Sequence, residues 1–96
     1  MAPIANFQEQ EKEQFLSLYP NPSTDFQTVK INVFANQNVS ITLYDIQGRS
    51  HGVIFEGRLN ENEHTLDLNI SHLSSGFYLY DVRLETERKA LRFIKQ

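Results

Sequence analysis

The side chains best suited to metal binding or acid–base chemistry are three histidines and twelve carboxylates in a chain of 96 residues. None of the histidines, His51, His64 and His72, has a second ligand-type residue at the spacing typical of a metal site. His64 and His72 stand beside turn-forming residues, where a solvated imidazole is the ordinary outcome. The sequence therefore predicts no metal site.

Nucleophilic catalysis and cofactor binding are equally poorly supported. The chain has no cysteine, which excludes disulfides, thiolate metal ligands and a cysteine nucleophile. No serine lies in a Gly-x-Ser-x-Gly context, and Ser74-Ser75-Gly76 is typical of a turn. Asp45 is predicted to open a turn by accepting hydrogen bonds from nearby backbone amides. The four glycines are scattered, so no phosphate-binding loop is present. We expect no catalytic residue, no cofactor and no small-molecule substrate.

The net charge of −3 is unevenly distributed. Residues 1–25 carry four acids against one base, whereas residues 26–96 are neutral. The basic residues Arg88, Lys89, Arg92 and Lys95 fall within eight positions near the end of the chain, too few to indicate nucleic-acid binding. No apolar run reaches the roughly 20 residues of a membrane span. No signal peptide is recognisable at the start, so we expect either a cytosolic protein or one whose export signal lies upstream.

The elements that would position these residues are predicted to be strands. Residues 1–17, rich in Gln and Glu, are expected to form a linker or a short helix, and residues 18–96 a single domain. The prolines at 20 and 22 exclude a central strand there. Apolar residues then alternate with polar ones, with turn signals every eight to twelve residues. The predicted strands cover residues 29–33, 39–43, 50–55, 64–68, 77–84 and 89–94, with a polar connection over 57–62.

This pattern indicates an all-β fold, an antiparallel Ig-like or Greek-key sandwich of about seven short strands. Because side chains alternate between the two faces of a strand, one set of apolar residues should lie between the sheets. The predicted core is Val29, Ile31, Val33, Val39, Ile41, Leu43, Leu66, Leu68, Leu73 and Tyr78.

Four segments, in order, resemble one family, the type A C-terminal sorting domain of type IX secretion in Bacteroidetes. They are LYPNP at 18–22 with an Asp after it, VSITLYDIQGR at 39–49, LSSGFYLYDV at 73–82, and the basic strand at 89–95. Together they span residues 18–95. The motif positions in this chain are Tyr19, Pro20, Asn21, Pro22, Asp25, Tyr44, Asp45, Gly48, Arg49, Leu73, Gly76, Tyr78, Lys89, Arg92 and Lys95.

Elementary chemistry suggests a role for several of these residues. Gly48 permits a tight turn, after which Arg49 is expected to pair with a carboxylate such as Asp45. Gly76 lets the chain re-enter the sheet, so that Tyr78 buries its ring with its hydroxyl near an edge. In this chain the apolar residue usual two positions after the motif Asp is replaced by Gln27. We therefore expect the first strand to be shifted or bulged.

The resemblance implies a non-catalytic secretion signal. The outer-membrane translocon would recognise the domain in the periplasm, after an ordinary signal peptide has taken its N-terminal cargo across the inner membrane. A sortase-like cysteine peptidase would then usually remove the domain, and the cargo would often be attached to lipopolysaccharide at the surface. Cleavage is expected before Leu18. The terminal strand would either offer an edge to a partner or carry its basic residues simply to protect that edge.

Two other functions stay open on sequence alone. One is a fibronectin-like or carbohydrate-binding module of a secreted enzyme, which would need an exposed platform of aromatic rings. Its candidates, Tyr19, Tyr44, Phe55 and Tyr80, are scattered, and the chain has no Trp. The other is a purely structural sandwich that stabilises a neighbouring domain. The sequence leaves the oligomeric state and the cargo open.

Overall fold

A computed structural model describes residues 16–96, which form seven antiparallel strands in two sheets. The predicted all-β sandwich is confirmed, and no helix among these residues is long and apolar enough to cross a membrane. The strands are β1 (Leu16–Tyr19), β2 (Phe26–Val33), β3 (Gln37–Asp45), β4 (Ser50–Leu59), β5 (Asn62–Asn69), β6 (Gly76–Leu84) and β7 (Arg88–Lys95). One sheet has the order β1-β2-β5 and the other β4-β3-β6-β7.

The first described strand, β1, is an edge strand of the three-stranded sheet and pairs with β2. Leu16 is buried in the core, two residues before the domain start predicted at Leu18. The strand ends at Tyr19, immediately before Pro20, as the missing proline N–H requires. The linker or helix predicted for residues 1–17 otherwise lies outside the described residues.

The core lies between the sheets, where the alternation predicted it. Nine of the ten predicted core residues are buried, and the tenth, Leu66 on the edge strand β5, is half-buried and packs against the core. Burying each side chain of this size contributes roughly 1.5–3 kcal/mol. The core also includes Leu16, Ile70, Tyr80, Val82 and Phe93.

Strand β4 is longer than its sequence suggests. It extends to Leu59 and not to Phe55, and the polar connection predicted over 57–62 is wrong. Gly57 and Arg58 pair with Val39 and Asn38 of β3, because backbone pairing with a neighbour continues whatever the polarity of the side chains. Only Asn60 and Glu61 connect β4 to β5.

The irregularity predicted for the first strand, at Gln27, is found between two other strands. Strand β2 pairs with β5 in uninterrupted register, and Gln27 is fully buried within it, so the predicted bulge there is wrong. The register shifts occur instead between β3 and β4, where His51 and Ile54 are the extra residues. Such bulges turn a side chain in a new direction, and His51 is turned toward Asp45.

Gln27 is accommodated because both ends of its amide are bonded. Its Oε1 accepts a hydrogen bond of 2.7 Å from the Tyr80 hydroxyl on the opposite sheet. Its Nε2 donates to the carbonyl oxygen of Pro20 at 3.1 Å. A buried polar group is tolerated only when paired in this way. The Gln27 amide therefore joins the two sheets to each other and to residues 20–22, which contain two prolines and are called the proline segment below.

Candidate recognition surface

The proline segment folds over the end of the last strand. Asn21 Oδ1 accepts a hydrogen bond from the Ile94 amide at 3.0 Å. The Ser23 amide donates to the Ile94 carbonyl at 3.0 Å, and the Gln96 amide donates to the Ser23 carbonyl at 2.8 Å. We call this contact of 21–23 with 94–96 the terminal clamp. It makes the first and last motifs a single structural unit, although 71 residues separate Ser23 from Ile94.

The turn between β3 and β4 is built around one carboxylate. Asp45 Oδ1 accepts hydrogen bonds of 3.0 Å from the amides of Gln47 and Arg49, and Oδ2 lies 3.0 Å from Arg49 Nε. Gly48 has a φ of +87°, a conformation that other residues rarely adopt. The predicted turn and the predicted Asp45–Arg49 pair are both confirmed. His51 Nε2 lies 3.2 Å from the same Oδ2, a contact that sequence spacing did not suggest.

These contacts make the turn sensitive to acid. The Arg49 amide, followed by the His51 and Arg49 side chains and the Gln47 amide, lowers the pKa of Asp45 to about 2 from its ordinary 3.8. Because the folded-state pKa is depressed, the ionised carboxylate stabilises the fold above about pH 4, and that contribution disappears as the pH falls through about 2. The stability difference between wild type and Asp45→Asn should therefore shrink over this range. Thermal unfolding of both proteins from pH 7 to pH 2 checks this, and a constant difference would contradict it.

The third motif places an aromatic stack behind this turn. Tyr78 is buried as predicted, and its hydroxyl donates to the carbonyl of Ser74 at 2.8 Å, in the loop before β6. Since β6 is an inner strand, the predicted position of this hydroxyl near a sheet edge is wrong. Its ring stacks on Phe93 of β7, with ring centroids 5.6 Å apart. Gly76, with a φ of +153°, begins β6, and Leu73 anchors the preceding loop in the core. The third and fourth motifs are thus packed against each other through their aromatic rings.

A groove of about 540 Å³ opens on the outer face of the four-stranded sheet at this end. Its apolar side chains are Ile46, Phe77 and Leu79; Ile46 is 73% exposed and Phe77 58%. Arg92 lies at the β7 side, directly across from Leu79. We call it the terminal groove; its lining residues are Asp45, Ile46, Gly48, Phe77, Tyr78, Leu79 and Arg92. Neighbouring exposed apolar side chains of this size commonly mark an interaction site.

The basic residues of β7 have different environments. Arg88 is neutralised by Asp81, since its Nε and Nη2 donate to the two carboxylate oxygens at 3.0 and 3.2 Å. Lys89 is half-buried and Arg92 is exposed. Lys95 is only 8% exposed, and its Nζ donates to the Gln96 carbonyl at 3.0 Å. The four charges are therefore not one uniform basic strip.

Most of the motif residues meet at this end of the sandwich. The turn at Asp45, Gly48 and Arg49, the start of β6 and the terminal clamp are adjacent there, and Tyr44 lies beside Leu79. Asp25 contributes its backbone, accepting a hydrogen bond from the Ile70 amide at 2.8 Å. Tyr19 stands apart, half-exposed on β1 of the other sheet. Five residues outside the predicted motif positions also contribute to this end: Ser23, Ile46, His51, Phe77 and Phe93.

Two of these five residues, Phe77 and Ile46, could be recognised as unusual from the sequence alone. Phe77 is an apolar residue on the face of its strand opposite Tyr78, and Ile46 is an apolar residue inside a polar turn. Ser23 and His51 had no such signal, because their partners are distant in sequence or depend on a bulge. The aromatic residues considered for sugar binding share no platform: Tyr80 is fully buried, and Tyr19 and Tyr44 lie in different sheets.

Comparison with known proteins identifies the domain. The sequence matches the family described as the secretion system C-terminal sorting domain over residues 17–96. No curated protein matches the chain. Five chains of solved structures match it. One is PorZ, described as an essential bacterial surface component of the type IX secretion system of Porphyromonas gingivalis. The fold is similar to part of PorZ with a TM-score of 0.55 and 18% sequence identity, over 84% of this chain and 11% of PorZ. The chain therefore belongs to the family of type IX secretion C-terminal sorting domains.

Proposed function

We propose that this domain is a non-catalytic signal that directs an N-terminal cargo protein across the outer membrane through the type IX translocon. The family match over residues 17–96 supports the sorting role. The observation that carries the proposal is that residues from each of the four motifs meet at one end of the sandwich, where the terminal clamp borders the terminal groove.

The proposal makes the folded domain, and not a linear peptide, the signal. The residues of the terminal clamp and the terminal groove come from positions 21–96, and only the fold brings them together. The partner is the translocon, and the domain acts as ligand and never as catalyst. A rigid β-sandwich suits this role, because a preorganised surface loses little conformational entropy on binding.

A reporter carrying a periplasmic export signal, fused ahead of residues 1–96, tests the proposal in a host with type IX secretion. The reporter should reach the cell surface or the medium, while the same reporter without the domain stays in the periplasm. A fusion that folds yet stays in the periplasm would contradict the proposal. A host strain lacking the translocon is the matched control, and export there would contradict it as well.

We further propose that a sortase-like cysteine peptidase removes the domain and that the cargo becomes attached to surface lipopolysaccharide. Cleavage would fall before Leu16, because Leu16 is buried and 16–19 is paired with β2, which withholds the backbone from a protease. Mass spectrometry of the released domain gives the cut position. A fragment beginning within β2 or β3 would contradict this boundary.

A further inference from the structure

Strand β7 is an edge strand that is only partly covered. It pairs with β6 on one side, and on the other the terminal clamp covers it from Ile94 onward. The amide and carbonyl of Ile94 both point away from β6, toward Asn21 and Ser23. Backbone groups two residues apart in a strand point the same way, so those of Ala90 and Arg92 face outward too. No other strand of residues 16–96 lies beside them.

Charge at this open edge is unbalanced. Arg88 is held by Asp81, whereas neither Lys89 nor Arg92 forms an ion pair within residues 16–96. The side chain of Arg92 lies next to the apolar wall of the terminal groove formed by Leu79 and Phe77. Among residues 16–96, the open edge thus has backbone groups with no strand beside them, the charge of Arg92 with no ion-pair partner, and an apolar surface next to that charge.

We propose that an extended segment of a partner protein adds to β7 at 88–92 as a further strand, with a carboxylate opposite Arg92 and an apolar side chain over the terminal groove. This mode rests on the proposed sorting function and specifies how the signal is read. Directly opposed side chains on neighbouring strands lie about 5 Å apart, close enough for a carboxylate to pair with Arg92. The terminal clamp sets the end of the added strand, because Asn21 and Ser23 already occupy the edge at Ile94.

A second copy of this chain fits the edge less well than an acidic partner. Two β7 strands paired antiparallel would bring the unpaired charges of Lys89 and Arg92 close to the same charges of the second copy, and opposed like charges destabilise a sheet. The domain should therefore sediment as a monomer. A dimer that Ala90→Pro dissociates would assign the edge to self-association and overturn the proposal.

Ala90→Pro tests the edge directly, because it removes an outward N–H without breaking a bond to β6. Thr65→Pro is the matched control on the edge strand β5. The Ile70 amide bonds to Asp25, so even-numbered residues of β5 face β2 and the Thr65 N–H points outward. In the reporter assay Ala90→Pro should reduce export about tenfold, the effect of losing one or two backbone hydrogen bonds to the partner. Thr65→Pro should be exported like wild type.

Substitutions of Arg92 provide a second test of strand addition. This test is needed if Ala90→Pro melts at a lower temperature than Thr65→Pro, because its loss of export could then come from unfolding. Arg92→Glu reverses an exposed charge and should reduce export strongly, while Arg92→Lys should retain most of it. Normal export of Arg92→Glu, or of a folded Ala90→Pro, would overturn strand addition and leave the sorting function standing. Failure of the unaltered domain to export the reporter would instead overturn the sorting function itself.

Discussion

Replacing Phe93 by alanine will lower the free energy of unfolding by about 3–5 kcal/mol. The ring is 1% exposed and stacks on two tyrosines of β6, with centroids 4.6 Å from Tyr80 and 5.6 Å from Tyr78. Small domains have a total stability of only about 5–15 kcal/mol, so this one change removes a large fraction of it. The reason is that Phe93 is the fully buried apolar side chain that β7 contributes to the core, with Leu91 packed against that core but only partly buried.

Urea denaturation of wild type and Phe93→Ala measures this loss. The matched control is Phe26→Ala, which removes the same ring from a site that is 60% exposed and should change stability by less than about 1 kcal/mol. A similar small change in Phe93→Ala would contradict the packing described for β7. The expected loss also predicts that deleting 89–96 abolishes export by unfolding the domain, whatever the translocon contacts.

The second large effect concerns the hydrogen bond between Gln27 and Tyr80, which joins the two sheets. Gln27→Leu should destabilise the domain by about 1–3 kcal/mol, because the buried Tyr80 hydroxyl then has no acceptor for its hydrogen bond. Burial already raises the pKa of Tyr80 well above its ordinary value, so its hydroxyl stays a donor throughout the useful pH range. Tyr80→Phe alone should be destabilising as well, since it leaves the Gln27 oxygen without its donor.

A double-mutant cycle separates the link from general packing. The Gln27→Leu, Tyr80→Phe double variant should be more stable than the sum of the two single losses implies, because removing both partners leaves neither unsatisfied. The Pro20 carbonyl still loses its donor, so the double variant should stay below wild type. Strict additivity of the two losses would show that the Gln27–Tyr80 hydrogen bond contributes nothing.

The sequence predicted those parts of the fold that depend on local alternation. A strand whose apolar residues follow a strict period of two can turn only one face toward the opposite sheet. For this reason the apolar residues of β2 and β3 are all buried: Val29, Ile31, Val33, Val39, Ile41 and Leu43. The length of β4 escaped prediction because Gly57 and Arg58 carry no strand pattern and are held by their pairing with β3. Gln27 suggested an irregular strand because only the folded chain places Tyr80 and Pro20 at its two amide ends.

For the recognition surface, the sequence predicted the turn between β3 and β4 but not the contacts between distant segments of the chain. Asp45, Gly48 and Arg49 lie within five residues, so local chemistry sufficed to predict their hydrogen bonds. The terminal clamp joins Asn21 and Ser23 to the last residues of the chain, and no pattern in either segment indicates the other. Lys95 belongs to a basic run yet is buried, because Ser23 pairs with it at the end of β7.

The proposed sorting function requires the translocon to recognise the folded domain, and we expect the terminal groove to be the surface that it contacts. The direct measurement is the exported fraction of a reporter fused to the Ile46→Ser, Phe77→Ser double variant. Its control is the Phe34→Ser, Val53→Ser double variant, which removes two apolar side chains of similar exposure outside the groove. All four sites are more than half exposed, so both variants should unfold at nearly the wild-type urea concentration. We expect the groove variant to remain in the periplasm while the control is exported. Equal export of the two folded variants would contradict recognition through the terminal groove.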